Sequence, residues 1–169
     1  MADLPLRTEP VPIEPATFAN VTIALAPPMA RYSLRARDAS LLEKAIGRKL
    51  PSEIGAISDD ALMLGPDEWL LRLPGNTPLA LGEGAPVSIT DVSERQIAIV
   101  VEGASAVQVL QGANPLDLAN FPVGNGKRTI FDGVEILLIR ETETRFVVEV
   151  WRSFAEFVWG TLVKCASEG

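Results

Sequence analysis

Apolar and polar positions along this chain fall into short blocks, and the blocks recur twice in the same order. Residues 31–36 set Tyr32, Leu34 and Ala36 against Arg31, Ser33 and Arg35, the period of a strand. Residues 38–47 then carry Leu41, Leu42, Ala45 and Ile46 on one helical stripe. Ser40 and Glu43 have the spacing of a capping box, and Gly47 and Pro51 are the terminators. Two short apolar runs, 61–64 and 69–73, follow across a turn at 65–68 and predict a hairpin.

The second half repeats the order. Residues 96–102 are an Ile- and Val-rich strand, Ser105 and Gln108 open a helix that reaches Val109, Leu110 and the breaker Gly112, and 134–140 with 145–150 form a second hairpin across 141–144. A closing helix begins at a third capping box, Ser153 to Glu156, and shows Phe157, Val158, Thr161, Leu162 and Cys165 on one face. Each β-α-β-β unit has one apolar sheet face and one apolar helix stripe, and two units bury both by joining sheets or packing layers. The expectation is an α+β fold of mostly antiparallel sheet with packed helices, one domain over 29–169 built from repeats at about 29–75 and 86–169. The connecting stretches 74–86 and 114–127, rich in Gly and Pro, are expected as ordered loops.

Ahead of these repeats, six of the 13 prolines fall within the first 28 residues. Each fixes φ and removes a backbone donor, so 1–28 reads as an extended arm. Its Leu4, Leu6, Val11, Ile13 and Phe18 suit it to lie along a partner, and deletion of 1–20 is expected to weaken assembly without lowering the melting temperature.

Composition narrows the chemistry. The 169 residues include no histidine and one cysteine, Cys165, so a Ser-His-Asp triad, a Cys-His pair and a histidine-bearing zinc site are excluded. A net charge of -7 offers no basic surface for nucleic acid or anionic membranes. The apolar runs are far shorter than the roughly 20 residues that span a bilayer. The acidic, proline-bearing start is unlike a signal peptide, and with a lone cysteine it points to the cytoplasm.

Residues 124–129 carry Gly, Lys and Thr but lack the register of a phosphate-binding loop, and read as a turn before a strand. Asp59, Asp60, Asp67, Glu68 and Asp91 offer carboxylates, with the adjacent pair at 59 and 60 reading as a solvated turn. Asp91 and Ser93 are placed to bond free backbone donors before a buried strand, and Arg95 to pair with a carboxylate. Trp69 and Trp151 lie in strand patterns and Trp159 partly outside the helix stripe; Cys165 reads as a buried, inert thiol.

Several stretches, taken in order and spacing, resemble one family: 64–71 (LGPDEWLL), 91–96 (DVSERQ), 115–118 (PLDL), 121–124 (FPVG), 128–129 (RT) and 152–157 (RSFAEF). The chain is similar to the gamma subunit of heterotetrameric sarcosine oxidase, over roughly 61 to the C-terminus. The resemblance implies a fold like the folate-binding domain of the glycine-cleavage T-protein. It implies a supporting role in an assembly that demethylates sarcosine to glycine with hydrogen peroxide, passing the one-carbon unit to tetrahydrofolate. Partners would be the alpha, beta and delta subunits, with FAD, FMN, NAD and tetrahydrofolate in alpha and beta and zinc in delta. It assigns no catalytic, cofactor-binding or metal-ligating residue to this chain. The alternative is a stand-alone folate-binding or one-carbon-transfer protein, using Asp67, Asp91 or Asp117 against a pterin ring.

Overall fold

The strands that read as continuous apolar runs are buried on both faces, and this sets the architecture. In a computed structural model of the chain, residues 9–79 and 86–168 are described. They form β1 (Ala16–Thr17), β2 (Thr22–Leu25), β3 (Met29–Arg35), α1 (Ala39–Ile46), β4 (Ile57–Ser58), β5 (Ala61–Gly65), β6 (Glu68–Pro74), β7 (Ser88–Asp91) and β8 (Gln96–Glu102). Next come α2 (Ala106–Gln111), β9 (Asn125–Phe131), β10 (Val134–Arg140), β11 (Arg145–Trp151), a 3₁₀ turn (Arg152–Phe154) and α3 (Ala155–Glu168).

The strands make a six-stranded sheet in the order β1-β2-β8-β11-β10-β9 and a five-stranded sheet in the order β4-β5-β6-β3-β7. All the strand pairs are antiparallel. The α+β plan with two strand-helix-hairpin units is present, with β3 beside hairpin β5–β6 and β8 beside hairpin β10–β11. The strand that precedes each unit crosses to the other sheet: β2 pairs with β8, and β7 pairs with β3. This exchange ties the sheets together through the backbone.

Three apolar clusters define four layers. Leu42, Ala45 and Ile46 of α1 pack on Tyr32, Leu34, Trp69 and Leu71, the outer face of the five-stranded sheet. Leu62, Leu70 and Val92 meet Ala98, Val100, Leu137, Ile139 and Val147 between the sheets. Val109 and Leu110 of α2 with Val158 and Leu162 of α3 cover Ile97, Ile99, Ile136, Leu138 and Val148 on the far face. Strands β8, β10 and β11 are therefore sandwiched on both sides, which is why they lack alternation.

Several expectations are corrected. The proline-rich stretch is extended in its described part, but it is not an arm set apart from the fold. No proline falls between 16 and 26, so β2 keeps its donors and pairs with β8, while Val11, Val21 and Ile23 join the core beneath α2 and α3. Leu4, Leu6 and the rest of 1–8 lie outside the described residues, as do 80–85 of the loop expected over 74–86. The loop expected over 114–127 ends earlier, because β9 begins at Asn125 and hydrogen-bonds along β10.

The capping boxes are not formed. Asp38, with an extended backbone, caps α1 by accepting from Ser40 N at 2.9 Å, and Glu43 reaches forward to Leu50 N and Lys49 Nζ. Ser105 caps α2 without a side-chain bond. Ser153 lies within the 3₁₀ turn, which rotates α3 so that Ala155, Val158, Trp159, Leu162 and Ala166 face inward. Trp159 is 8% exposed and Phe157 50%, the reverse of the expected stripe.

Candidate functional site

Strand β3 alternates as expected, but its polar side faces the other sheet instead of water. Tyr32 and Leu34 point to α1, so Arg31 and Ser33 must point into the layer between the sheets. Arg31 is paired across the ladder with Arg72 of β6. Opposite them stands Glu149 of β11, 1% exposed, within the run Phe146 to Val150.

The three charges interlock. Arg31 Nε donates to Glu149 Oε2 at 2.6 Å, and Arg31 Nη1 donates to Met29 O at 3.0 Å. Arg72 Nε lies 2.9 Å from Glu149 Oε1, an ion pair whose geometry is too far off line for a directed hydrogen bond. One carboxylate thus holds two guanidiniums, which are permanently charged and could not be buried alone without a large desolvation cost. The cluster has one excess positive charge and is enclosed, so its chemistry is cohesion between layers. No general base is exposed here.

A cavity of about 130 Å³ opens beside this cluster, lined by Glu149, Gln96, Ser33, Glu68, Arg128 and Trp151 among others. Its mouth is polar and aromatic. Arg128 spans the sheets to Glu68 at 2.9 Å, and Arg95 stacks over the Trp151 ring at 4.7 Å. The Gln96 side-chain oxygen is buried there without a hydrogen-bond donor.

The residues marked in the sequence are dispersed. Asp59 and Asp60 form the tight β4–β5 turn, both with positive φ. Asp67 lies in the β5–β6 turn, Asp91 ends β7, and Asp117 bonds Asn120 in the loop before β9. None of Asp67, Asp91 and Asp117 lines the cavity above. Asp91 accepts from Ser93 N at 2.9 Å and Ser93 Oγ at 2.6 Å, and Ser93 Oγ accepts from Arg31 N at 2.8 Å. These bonds hold the Asp91 carboxyl below the usual carboxylate range, chiefly through the Ser93 hydroxyl. The backbone-bonding role expected of Asp91 and Ser93 is met, whereas Arg95 stacks on an indole in place of the expected carboxylate.

Trp69 is core, donating Nε1–H to Pro51 O at 2.9 Å, and Trp151 is 44% exposed. Gly124, with φ +77, makes the turn before β9, and at Gly126 the sheets approach too closely for a side chain, since a Cβ there would stand 2.6 Å from Leu62 Cδ2. Burial pushes the Cys165 thiol up, away from thiolate reactivity. Among the described residues no cluster of three or more Cys, Asp or Glu side chains is arranged to hold a metal ion. No helix of the described residues is long and apolar enough to cross a membrane. Glu149, Arg31 and Arg72 were not singled out in the sequence; the available signal was a lone carboxylate inside the apolar run 146–150.

A profile of the sarcosine oxidase gamma subunit family matches residues 35–168. The chain belongs to this family. Among solved structures, heterotetrameric sarcosine oxidase from Corynebacterium sp. U-96, in complex with pyrrole 2-carboxylate, contains a chain 30% identical with a TM-score of 0.80, the match covering 88% of this chain and 84% of that one. Glycine cleavage system aminomethyltransferase T from Bartonella henselae matches with a TM-score of 0.62 at 13% identity, over 86% of this chain and 46% of that one. The second likeness is one of fold. No curated protein sequence matches the chain.

Proposed function

We propose that this chain is the gamma subunit of a heterotetrameric sarcosine oxidase and contributes contact surface without catalytic groups of its own. The observation that carries the reading is the match to a chain of a heterotetrameric sarcosine oxidase along nearly its whole length, joined to the family match. Its partners are then alpha, beta and delta subunits, in the cytoplasm, with FAD, FMN, NAD and tetrahydrofolate held by alpha and beta and zinc by delta. The charges that reach the interlayer cavity are consistent with this, because Glu149, Glu68 and Arg128 are each engaged in ion pairs within the chain.

Co-expression with the other three subunits, followed by size exclusion, tests the reading. The chain is expected to elute with them, and the assembly to oxidise sarcosine with hydrogen peroxide release. The chain alone is expected to turn over no sarcosine. Elution apart from the other subunits in gentle salt, or demethylation by the isolated chain, would overturn it. Calorimetry with a reduced folate addresses the stand-alone alternative, which requires stoichiometric heat from this chain alone.

A further inference from the structure

The six-stranded sheet overhangs the five-stranded one by a single row of side chains. On β10 and β11, Leu137, Ile139, Val147 and Glu149 face the second sheet. By strand alternation Glu135 and Trp151 share that face, one step further out. Ile130 pairs with Glu135, and Trp151 pairs with Gln96, so the row Ile130, Glu135, Trp151, Gln96 crosses four adjacent strands.

The preceding row, Arg128, Leu137, Glu149 and Ala98, is covered: Arg128 reaches Glu68, Glu149 meets two arginines, and Leu137 and Ala98 are buried. Among the described residues the outer row has no such cover. Ile130 is 49% exposed and Trp151 44%, in a strand context where large apolar side chains are otherwise enclosed. Arg95 lies over the Trp151 ring at 4.7 Å, and among the described residues its guanidinium makes no ion pair. That is unusual in a chain with 22 acidic and 15 basic residues, where most described arginines are paired. Exposed Trp and Arg side by side match the composition enriched at the energetic centres of protein interfaces.

Resting on the function proposed above, we infer that the Ile130–Trp151 row with Arg95 is the anchor by which this chain docks on a neighbouring subunit of the oxidase, which supplies an apolar side chain between Ile130 and Trp151 and a carboxylate to the Arg95 guanidinium. The charge argument selects the occupant. A second copy of this chain would bring a further net charge of -7 to the contact, which opposes self-association. A partner with a carboxylate at that position completes the fork geometry of Arg95 and covers the cavity that Arg95, Glu135 and Trp151 line.

The experiment is co-expression of all four subunits with an affinity tag on another subunit, and measurement of how much of this chain is retained. Arg95→Glu and the pair Ile130→Asp with Trp151→Ala are each expected to lower the affinity at least about tenfold, the effect of losing a central interface residue. Phe157→Ala, on the exposed face of α3, is expected to leave retention unchanged. Circular dichroism of each full-length variant checks folding, and Arg95→Glu, an exposed position, keeps the test decisive should the double variant fail to fold. Retention of Arg95→Glu at the wild-type level overturns the anchor while leaving the gamma role in place. Loss of the wild-type chain itself overturns the functional reading instead. A dimer of the chain alone that Arg95→Glu dissociates overturns the choice of occupant.

Discussion

Glu149 on one sheet and Arg31 on the other stand 2.6 Å apart, Oε2 to Nε, with both side chains buried. Arg72 completes the set, so a layer otherwise made of Leu, Val and Ile is fastened by three charges. Such a cluster contributes little net stability relative to an apolar filling, but its parts cannot be removed singly.

Glu149→Gln leaves two buried guanidiniums facing a neutral amide and should destabilise the fold by about 3–5 kcal/mol. The triple replacement Arg31→Met, Arg72→Met and Glu149→Leu should instead be neutral or stabilising by ~1–4 kcal/mol. Urea denaturation of the three proteins measures both. A triple variant as weak as Glu149→Gln would show that the charges contribute more than mutual compensation.

Close approach of the sheets at Gly126 gives a second expectation. A Val there would drive its methyl groups into Leu62 and Ile139, so Gly126→Val should cost about 1–3 kcal/mol through overpacking. Gly124→Ala has open space but a left-handed backbone, and should cost ~1–2 kcal/mol for that reason alone. Urea denaturation of the two single variants measures both costs.

The rotation of α3 is checked by its aromatics. Trp159→Ala should lower stability by about 3–5 kcal/mol, as for large core aromatics. Phe157→Ala should stay within ~0.5 kcal/mol, the range for surface positions. Thermal melts of the two variants, compared at matched conditions, would reverse this order if the helix presented the stripe expected from the sequence.

Asp91 carries a pH dependence with a defined sign. Its carboxyl is held below the usual 3.8 by the Ser93 hydroxyl and amide, so the folded chain binds its proton less readily than the unfolded chain. The stabilisation is present above 3.8 and is lost as pH falls through the lower folded value. The stability gap between wild type and Asp91→Asn should therefore be constant near neutrality and narrow on acidification below about pH 4. Denaturation midpoints at pH 7 and pH 3 measure it. Asp91 is exposed, so the effect is small and shrinks with salt.

Periodicity exposed the strands β3, β5, β6, β8, β10 and β11, because each buries one or two faces and hydrophobic spacing records burial directly. The short strands β1, β2, β4 and β7 were not visible. Strands β2 and β7 form on an edge supplied by a distant strand, as when Leu25 finds Ile99 and Leu34 finds Ile89, whereas β1 and β4 are two-residue edge strands too short to show a period. Capping boxes misled for a related reason: Ser40 and Ser153 have the right neighbours in sequence, but Asp38 and a 3₁₀ turn take their places in space.

Family, fold class and the lack of any histidine-based chemistry were already legible in the order of residues, since motif spacing and composition do not depend on how the chain is packed. Which carboxylate is buried, which sheet face is left open, and which tryptophan is core were not. Arg31 alternates like any half-exposed strand residue, and becomes an interlayer ion only because Glu149, 118 positions away, is brought opposite it. Burial of charge is settled by partners distant in sequence, and a one-dimensional pattern carries no record of which partners meet.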